Sequence, residues 1–399
     1  MQGVMSVRRE AATLSVALVL FVLWASISVA EQANPPTRQP YAAYEVWATD
    51  QGTNKIHIIA PDPKTGGAGF VETEVIDLGT AGIDMPHMID FTSDFAYAFV
   101  ANVQSGNVAV IRTADRKLLK VIETGPMTHM AAVLPNDSAV LVDVMHTEGA
   151  IVEITVDREK EAFNIGRKLK IAQDPLFQQR AAEFPGASPV CHDYTTDGAY
   201  AFVSLGPPLD KGGLLILDVK AFQLSKVFPV SEIRVNCGTI RSPDGSKMYL
   251  NGGSLTEGHW YVFDTTTHRP LPVDEQGTIQ RDSRGKDAHG VWFTPDGGEL
   301  WMVNRASSNA IIIDPASDKI IAEIEHVGPS PDILTMSPDG KYAFITLRGP
   351  KPRSGPHQIA GTRPGVSVID VKARKLVTIL ELAKRNEKSD FHGIGLRPF

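Results

Sequence analysis

The chain repeats one four-strand pattern along most of its length, and this repeat restricts the fold more than any other feature. Each copy opens with an apolar strand that runs into a turn, such as Phe-Thr-Pro-Asp-Gly at 293–297. A second strand follows, as at 97–102, then a third that ends in Asp, as at 311–314, and a weaker fourth. Apolar β-branched and aromatic runs between Gly, Pro and Asp turns are typical of strands. Four strands in a unit of about 40–50 residues indicate a β-propeller blade.

One position recurs in every unit, seven residues before the Asp or Asn of the inner turn, and we call it the ring position. The C-terminal copy is assigned because 392–398 aligns with 289–295. The ring position is occupied by His87, His129, Val190, Cys237, His289, Asp332 and His392. Seven copies predict seven blades. Because inner strands begin beside the central channel, we expect these side chains to converge at one end of it.

The two ends of the chain supply complementary parts of one blade. Residues 44–78 provide three outer strands, and residues 392–399 provide only an inner strand. Joining them closes the ring and buries sheet edges that would otherwise be exposed. The sequence therefore predicts an all-β, seven-bladed propeller over residues 43–399, with insertions at about 157–189 and 348–365.

The N-terminal residues have the pattern of a secretory signal. Arg8 and Arg9 precede an apolar run, and Ser-Val-Ala at 28–30 is a small-residue cleavage signal. We predict a signal peptide at 1–30, an extended leader at 31–42, and a periplasmic or secreted protein with no membrane span after cleavage. The net charge of −7 argues against nucleic acid as a partner.

Four imidazoles, a thiol and a carboxylate at one position make a candidate metal or cofactor site. Imidazole suits divalent copper and zinc, and thiolate suits copper(I) and zinc. Of these metals, we favour copper. A channel that is polar but binds no ligand is the alternative. Asp287 and Asp390 each precede a ring histidine by two residues and could orient its imidazole as outer acceptors. The predicted metal ligands are His87, His129, His289, His392, Cys237 and Asp332, with His192 and His146 as further candidates.

The two cysteines, Cys191 and Cys237, fall in neighbouring blades at almost the same level of the ring. An exported protein meets an oxidising compartment, which favours a disulfide between them. The alternative is that Cys237 ligates the metal as a thiolate.

Both insertions are expected on the face that carries the ring, where they would act as a lid. Asp174 can cap a helix that begins at Pro175 and ends before Pro185. Loop 348–365 contains no acidic residue, so it should attract a small organic or inorganic anion unless it is merely a solvated loop. The basic side chains assigned to this steering role are Arg348, Arg353 and Arg363.

The second strand at 97–102 and the Ser-Pro-Asp-Gly turns at 242–245 and 337–340 resemble the YVTN family of seven-bladed propellers. The resemblance covers nearly all of the mature chain and implies the fold, which hosts many unrelated functions. The histidine ring is similar to the copper propellers of nitrous oxide reductase and thiocyanate dehydrogenase, and to d-type haem propellers in which histidines hold the haem. The chain has no Cys-x-x-Cys-His motif, so the similarity does not extend to a c-type haem.

Two classes of function follow. The first is an exported metal-dependent oxidoreductase, or an accessory protein, that holds copper or a haem-type cofactor at the channel mouth. It would act on a small anion and meet a redox or protein partner on the ring face. The second is a non-catalytic scaffold that docks another exported protein and needs no cofactor.

Overall fold

The computed structural model describes residues 43–66, 69–354, 359–383 and 386–399. They form seven antiparallel sheets, and the propeller predicted from the repeat is confirmed. The predicted signal peptide and leader lie outside the described residues. None of the helices in the described ranges is long and apolar enough to span a bilayer.

The blades follow one another along the chain, each with its strands ordered from the channel outwards except where the chain ends meet. Blade 1 contains β1 (Tyr44–Asp50), β2 (Lys55–Pro61) and β3 (Phe70–Asp77), and the last strand of the chain completes it. Blades 2 to 4 are β4 (Pro86–Phe91), β5 (Tyr97–Asn102), β6 (Asn107–Arg112), β7 (Lys117–Glu123); β8 (Thr128–Val133), β9 (Ala139–Val144), β10 (Ala150–Asp157), β11 (Ala162–Lys170); and β12 (Pro189–Tyr194), β13 (Tyr200–Leu205), β14 (Gly213–Asp218), β15 (Gln223–Pro229).

The remaining blades repeat the arrangement, with one extra short strand, β20, beside β18. Blades 5 to 7 are β16 (Thr239–Arg241), β17 (Lys247–Gly253), β18 (Gly258–Asp264), β19 (Arg269–Pro270), β20 (Arg281–Asp282); β21 (Ala288–Phe293), β22 (Leu300–Asn304), β23 (Asn309–Asp314), β24 (Lys319–Ile324); and β25 (Pro331–Met336), β26 (Tyr342–Leu347), β27 (Gly365–Asp370), β28 (Lys375–Leu380). The strand that closes blade 1 is β29 (Phe391–Pro398).

The predicted closure of the ring by the two chain ends is confirmed. Strand β29 pairs antiparallel with β1, with Tyr44 opposite Pro398. Hydrogen bonds continue past the strand ends, where the Gln51 N–H donates to the Asp390 carbonyl over 3.0 Å and the Asp390 N–H donates to Asp50 Oδ1 over 2.8 Å. The last strand therefore brings His392 into the ring beside residues from the start of the propeller.

Ring residues occupy irregularities of the sheets. In six of the seven described sheets, the pairing between the two strands nearest the channel shifts register at the ring position, for example between Pro86 and Met88 around His87. A bulge of this kind bends the strand and re-aims a side chain away from the regular pleat. It explains how a residue at the start of an inner strand is turned towards the channel.

Glycines that follow ring residues let neighbouring inner strands approach closely. A Cβ on Gly290 would lie 2.4 Å from the Asp332 carbonyl oxygen, and one on Gly393 would lie 2.2 Å from the His87 carbonyl oxygen. Side-chain atoms do not occur at such distances from a backbone. Glycine at these two positions therefore lets neighbouring inner strands lie closer together than any other residue would permit.

We expect Gly290→Ala to lower the free energy of unfolding by about 1–3 kcal/mol, the usual cost of overpacking, because the strand of Asp332 must move. Urea-induced unfolding measures this. Gly186→Ala is the matched control, since the nearest atom to its added Cβ is 3.8 Å away. Equal stability of the two variants would show that the close approach does not constrain the ring.

The segment between β11 and β12 contains the predicted helix in a shorter form. Helix α1 spans Pro175–Gln179, and Asp174 Oδ1 accepts the Leu176 N–H over 2.8 Å, as a cap should. The helix ends well before Pro185 because a 3-10 turn, Ala181–Glu183, replaces its last part.

This segment does not form the expected lid. Phe177 and Phe184 are buried in the apolar core that they share with Leu224 of β15, and Asp174 Oδ2 accepts the Leu224 N–H over 3.0 Å. The segment is therefore anchored to blade 4. Its apolar side chains are used in packing, and none of its residues lines the cavity described below.

Candidate metal centre

A cavity of about 450 Å³ opens where the inner strands begin. All four ring histidines line it, so the structure brings them together at one end of the channel as the shared position predicts. Asp332 is fully buried behind the lining. The ring residues that line the cavity are His87, His129, Val190, Cys237, His289 and His392.

The closest approach in the cavity is between His87 and His129, whose Nε2 atoms are 3.0 Å apart. The other ring nitrogen of His129, Nδ1, is 2.7 Å from the Val190 carbonyl oxygen. A carbonyl oxygen only accepts hydrogen bonds, so Nδ1 carries the proton. In neutral His129, Nε2 therefore presents a lone pair towards His87.

The tautomer of His87 is fixed in the same way by Gln51. The side-chain amide of Gln51 donates from Nε2 to Asp390 Oδ2 over 2.7 Å and to Ser354 Oγ over 2.9 Å. Its Oε1 is consequently the atom that lies 2.8 Å from His87 Nδ1, which must donate. Two lone pairs on Nε2 atoms thus face each other across 3.0 Å.

A shared proton does not relieve this contact at neutral pH. Burial lowers the pKa of His129 to about 4. Burial, reinforced by the neighbouring His129 and by the Arg348 guanidinium, holds the pKa of His87 well below its usual range. Both imidazoles are therefore neutral, which is the form that ligates a metal.

A second group of candidate ligands lies beside this pair. The His392 ring stacks on His87 with centroids 3.5 Å apart, and burial holds the pKa of His392 well below its usual range. His289 Nδ1 is 3.1 Å from Asp332 Oδ1, and His392 Nε2 is 3.6 Å from Asp332 Oδ2. One ligand atom from each of these three residues falls within 4.8 Å of the others.

The Asp332 carboxylate is already held by two buried arginines. Arg305 Nη1 lies 3.0 Å from its Oδ1, and Arg348 Nη1 lies 3.2 Å from its Oδ2. A metal ion would have to compete with both guanidinium groups for these oxygens. Asp332 is therefore a weaker ligand than its place in the ring suggests.

The predicted outer acceptors contact arginines. Asp390 accepts hydrogen bonds from Arg348 Nε over 2.7 Å and from Arg348 Nη2 over 2.9 Å. It also accepts one from Gln51, which contacts His87, so Asp390 is linked to the ring at His87 rather than at His392. Asp287 accepts Arg305 Nε over 2.7 Å. The role predicted for Asp390 at His392 is wrong in this detail, because a guanidinium offers a carboxylate two charged donors at once.

The basic side chains assigned to anion steering are all paired. Arg348 is 1% exposed and bound to Asp332 and Asp390. Arg363 pairs with Glu381 beside a separate surface pocket. Arg353 does line the ring cavity, but its Nη1 lies 2.7 Å from Asp84 Oδ1. The sequence showed that the loop contains no acidic residue. It could not show that the fold brings aspartates from other segments into contact with the loop's arginines.

Both cysteines are buried free thiols, so the favoured disulfide is not formed in the structure. Burial raises the pKa of each thiol. Their backbones are close, since Ser204 Oγ donates to the carbonyl oxygens of Cys191 and Cys237 over 3.1 and 2.8 Å. Only Cys237 lines the cavity, whereas Cys191 packs with Val190 and Met145.

The two additional histidines lie outside the cavity lining. His192 is buried between blades, with Nδ1 2.7 Å from Asp143 Oδ2 and Nε2 2.9 Å from the Tyr194 hydroxyl. Both of its nitrogens are therefore used. His146 is exposed in the loop after β9, where Nδ1 lies 3.3 Å from Thr147 Oγ1.

A second register, sixteen residues after the ring position, supplies site residues that the sequence reasoning missed, together with Arg348, which it had assigned to anion steering. The constant spacing from the ring position is visible in the sequence, but the residues at this second position have no chemical property in common. In six of the seven described blades, the N–H at this position donates to the carbonyl two residues before the ring, as from Arg305 to Asp287 over 2.9 Å. Its members that line the cavity or contact the ring are Gln51 in the closing blade, Val103, Met145, Arg305 and Arg348.

We expect the protein to lose stability in mild acid. The ordinary pKa of 6.5 falls to about 4 for folded His129. The unfolded chain therefore takes up this proton first, and stability present above pH 6.5 is lost as the pH falls towards 4. His129 alone contributes up to about 3 kcal/mol. Urea unfolding at several pH values measures this, and His129→Gln should flatten the dependence. An unchanged slope in the variant would contradict the assignment.

Comparison with known proteins agrees with the fold. Hydrazine synthase of Kuenenia stuttgartiensis superposes with a TM-score of 0.53, at 14% identity, over 84% of this chain and 95% of that chain. The dihydro-heme d1 dehydrogenase NirN in complex with DHE gives 0.54, at 12% identity, over 88% and 74%. At such identities the likeness shows the propeller fold alone.

No protein-family model and no curated protein matches the sequence. The resemblance to the YVTN family therefore stays a prediction beyond the shared fold. Function has to be argued from the cavity.

Proposed function

We propose that this propeller binds a transition metal ion, preferably copper, through Nε2 of His87 and His129 at the channel mouth. The metal would serve redox chemistry on a small molecule held in the cavity. The observation that carries the proposal is the pair of unprotonated Nε2 atoms facing each other across 3.0 Å. A cation that accepts both lone pairs converts this repulsive contact into two bonds.

The distances and outer contacts suit such an ion. Metal–imidazole bonds are about 2.0–2.1 Å long, so two of them span 3.0 Å at an angle close to a right angle. That angle leaves room for further ligands on the ion, and copper leads the divalent metals in affinity for nitrogen ligands. Gln51 and the Val190 carbonyl hold the Nδ1 protons, as outer-shell acceptors of metal-bound histidines do.

The charges around the cavity favour a cation over a free anion. The two arginines and three aspartates of the buried ion pairs sum to a formal charge of −1; they are Arg305, Arg348, Asp287, Asp332 and Asp390. A bound copper(I) ion neutralises this charge, and a divalent ion reverses it. A small anionic substrate would then be attracted by the metal rather than by the paired basic loop.

A haem-type cofactor fits the same residues less well. His392 stacks on His87 at 3.5 Å, and His87 Nε2 points at His129, so neither ring offers its nitrogen to an open slot. A planar macrocycle would have to separate these rings. The cavity of about 450 Å³ lies within the range of ordinary small-molecule sites.

Metal analysis of protein purified without an affinity tag tests the proposal. After loading from an equimolar mixture of copper, zinc, nickel and cobalt followed by desalting, we expect about one copper ion per chain. No bound metal after careful loading would overturn the proposal and favour the scaffold function. Visible absorption of the purified protein reveals haem in the same sample.

A further inference from the structure

Four sulfur-containing residues line the cavity together with the histidines: Met85, Met127, Met145 and Cys237. Resting on the metal site proposed above, we propose that the ion held there is copper(I), and that the three methionine thioethers complete its ligand set. Thioethers are soft and polarisable, and soft ligands select copper(I) over zinc and over copper(II).

Two of the methionines hold equivalent places in adjacent blades. Met85 and Met127 each stand two residues before a histidine of the closely spaced pair, and both have left-handed backbones, with φ of 65° and 61°. The same turn occurs at Asp287 and Ser330, so it belongs to the blade rather than to methionine. Both residues line the cavity, each next to the strand that carries one of the two histidines.

The third methionine, Met145, lies at the second register, sixteen residues after His129. The Met145 N–H donates to the Met127 carbonyl oxygen over 2.9 Å, which places the two residues side by side at the rim. Met145 is almost fully buried, whereas Met127 is 41% exposed. One of the two side chains is therefore accessible to an entering ion, and the other lies within the cavity wall.

The rest of the lining excludes harder ions. Within the described part of the chain, none of the residues that line the cavity is Asp or Glu. Calcium and magnesium need such oxygen ligands. The neutral thiol of Cys237, whose pKa is raised by burial, adds no negative charge.

Charge also favours the lower oxidation state. The buried ion pairs leave a formal −1 beside the cavity, and Arg305 and Arg353 are themselves part of its lining. Copper(I) would neutralise this charge, whereas copper(II) would leave an excess positive charge next to two guanidinium groups. That excess is costly because the buried side chains around the ion screen charge weakly.

Competition with the copper(I) chelator bathocuproine disulfonate, under anaerobic conditions, tests the inference. We expect the triple variant Met85→Leu, Met127→Leu, Met145→Leu to bind copper(I) about 100-fold more weakly than wild type, while zinc affinity changes less than about threefold. Met302→Leu, the same change in the buried part of β22, should alter neither affinity. Met127→Leu alone, at an exposed position, should weaken copper(I) binding about tenfold and covers the case in which the triple variant does not fold.

Each result discriminates. Wild-type copper(I) affinity in a folded triple variant, or in Met127→Leu if the triple variant does not fold, would overturn the role of the thioethers and leave the histidine site standing. An equal loss of zinc affinity would also count against them, since softness would not be the cause. Failure of wild type to bind any metal would overturn the proposed function itself.

Discussion

Replacing His87 and His129 together with glutamine is expected to abolish metal binding while the propeller still folds. These two imidazoles supply the nitrogens that face each other across 3.0 Å, and both line the cavity rather than the cores between blades. A ligand present at 1,000 times its dissociation constant stabilises a protein by about 4 kcal/mol. Wild type should show that increase in unfolding free energy on adding copper, and the double variant should show none.

His259→Gln is the matched control for this experiment. His259 is equally buried but lies in β18, bonded to the Arg234 carbonyl and outside the cavity lining. It should keep the full stabilisation by copper. A double variant that retains one metal ion per chain would place the site elsewhere, for example at His289, Asp332 and His392.

Arg305→Leu is expected to cost about 3–5 kcal/mol of folding stability, the usual penalty for removing one partner of a buried ion pair. Arg305 holds Asp287 through Nε and Asp332 through Nη1, and both carboxylates are almost fully buried. Without the Arg305 guanidinium, Arg348 is the one arginine that still pairs with Asp332 among the described residues. Urea-induced unfolding of wild type and variant at pH 7 gives the difference.

Arg363→Leu controls for the loss of an arginine as such. Its partner is Glu381, and its own side chain is about half exposed, so the pair should contribute no more than about 1 kcal/mol. Similar losses in the two variants would show that the buried network is not what stabilises the ring.

The fold followed from the sequence because its signals are local and repeated. The turns, the strand pattern and the inner strand at 392–399 each specify one piece of a blade, and closure by β29 needed only the recognition that the two ends complement each other. The convergence of His87, His129, His289 and His392 followed from the same register.

What the sequence could not show depends on residues brought together from separate blades. Arg348 looked like part of a basic loop, but Asp332 and Asp390 bury it in an ion pair. Cys191 and Cys237 looked like a disulfide, but both remain free thiols. The tautomer of His87 depends on Gln51, which reaches it across the closed ring.

The most direct test of the metal site is an anomalous difference map from a copper-loaded crystal, recorded on both sides of the copper absorption edge. We expect one strong peak at the channel mouth, about 2.0 Å from Nε2 of both His87 and His129. With the edge measured on the same crystal, the peak is assigned to copper and to no other metal. A fully loaded crystal with no peak between these two nitrogens would contradict the account.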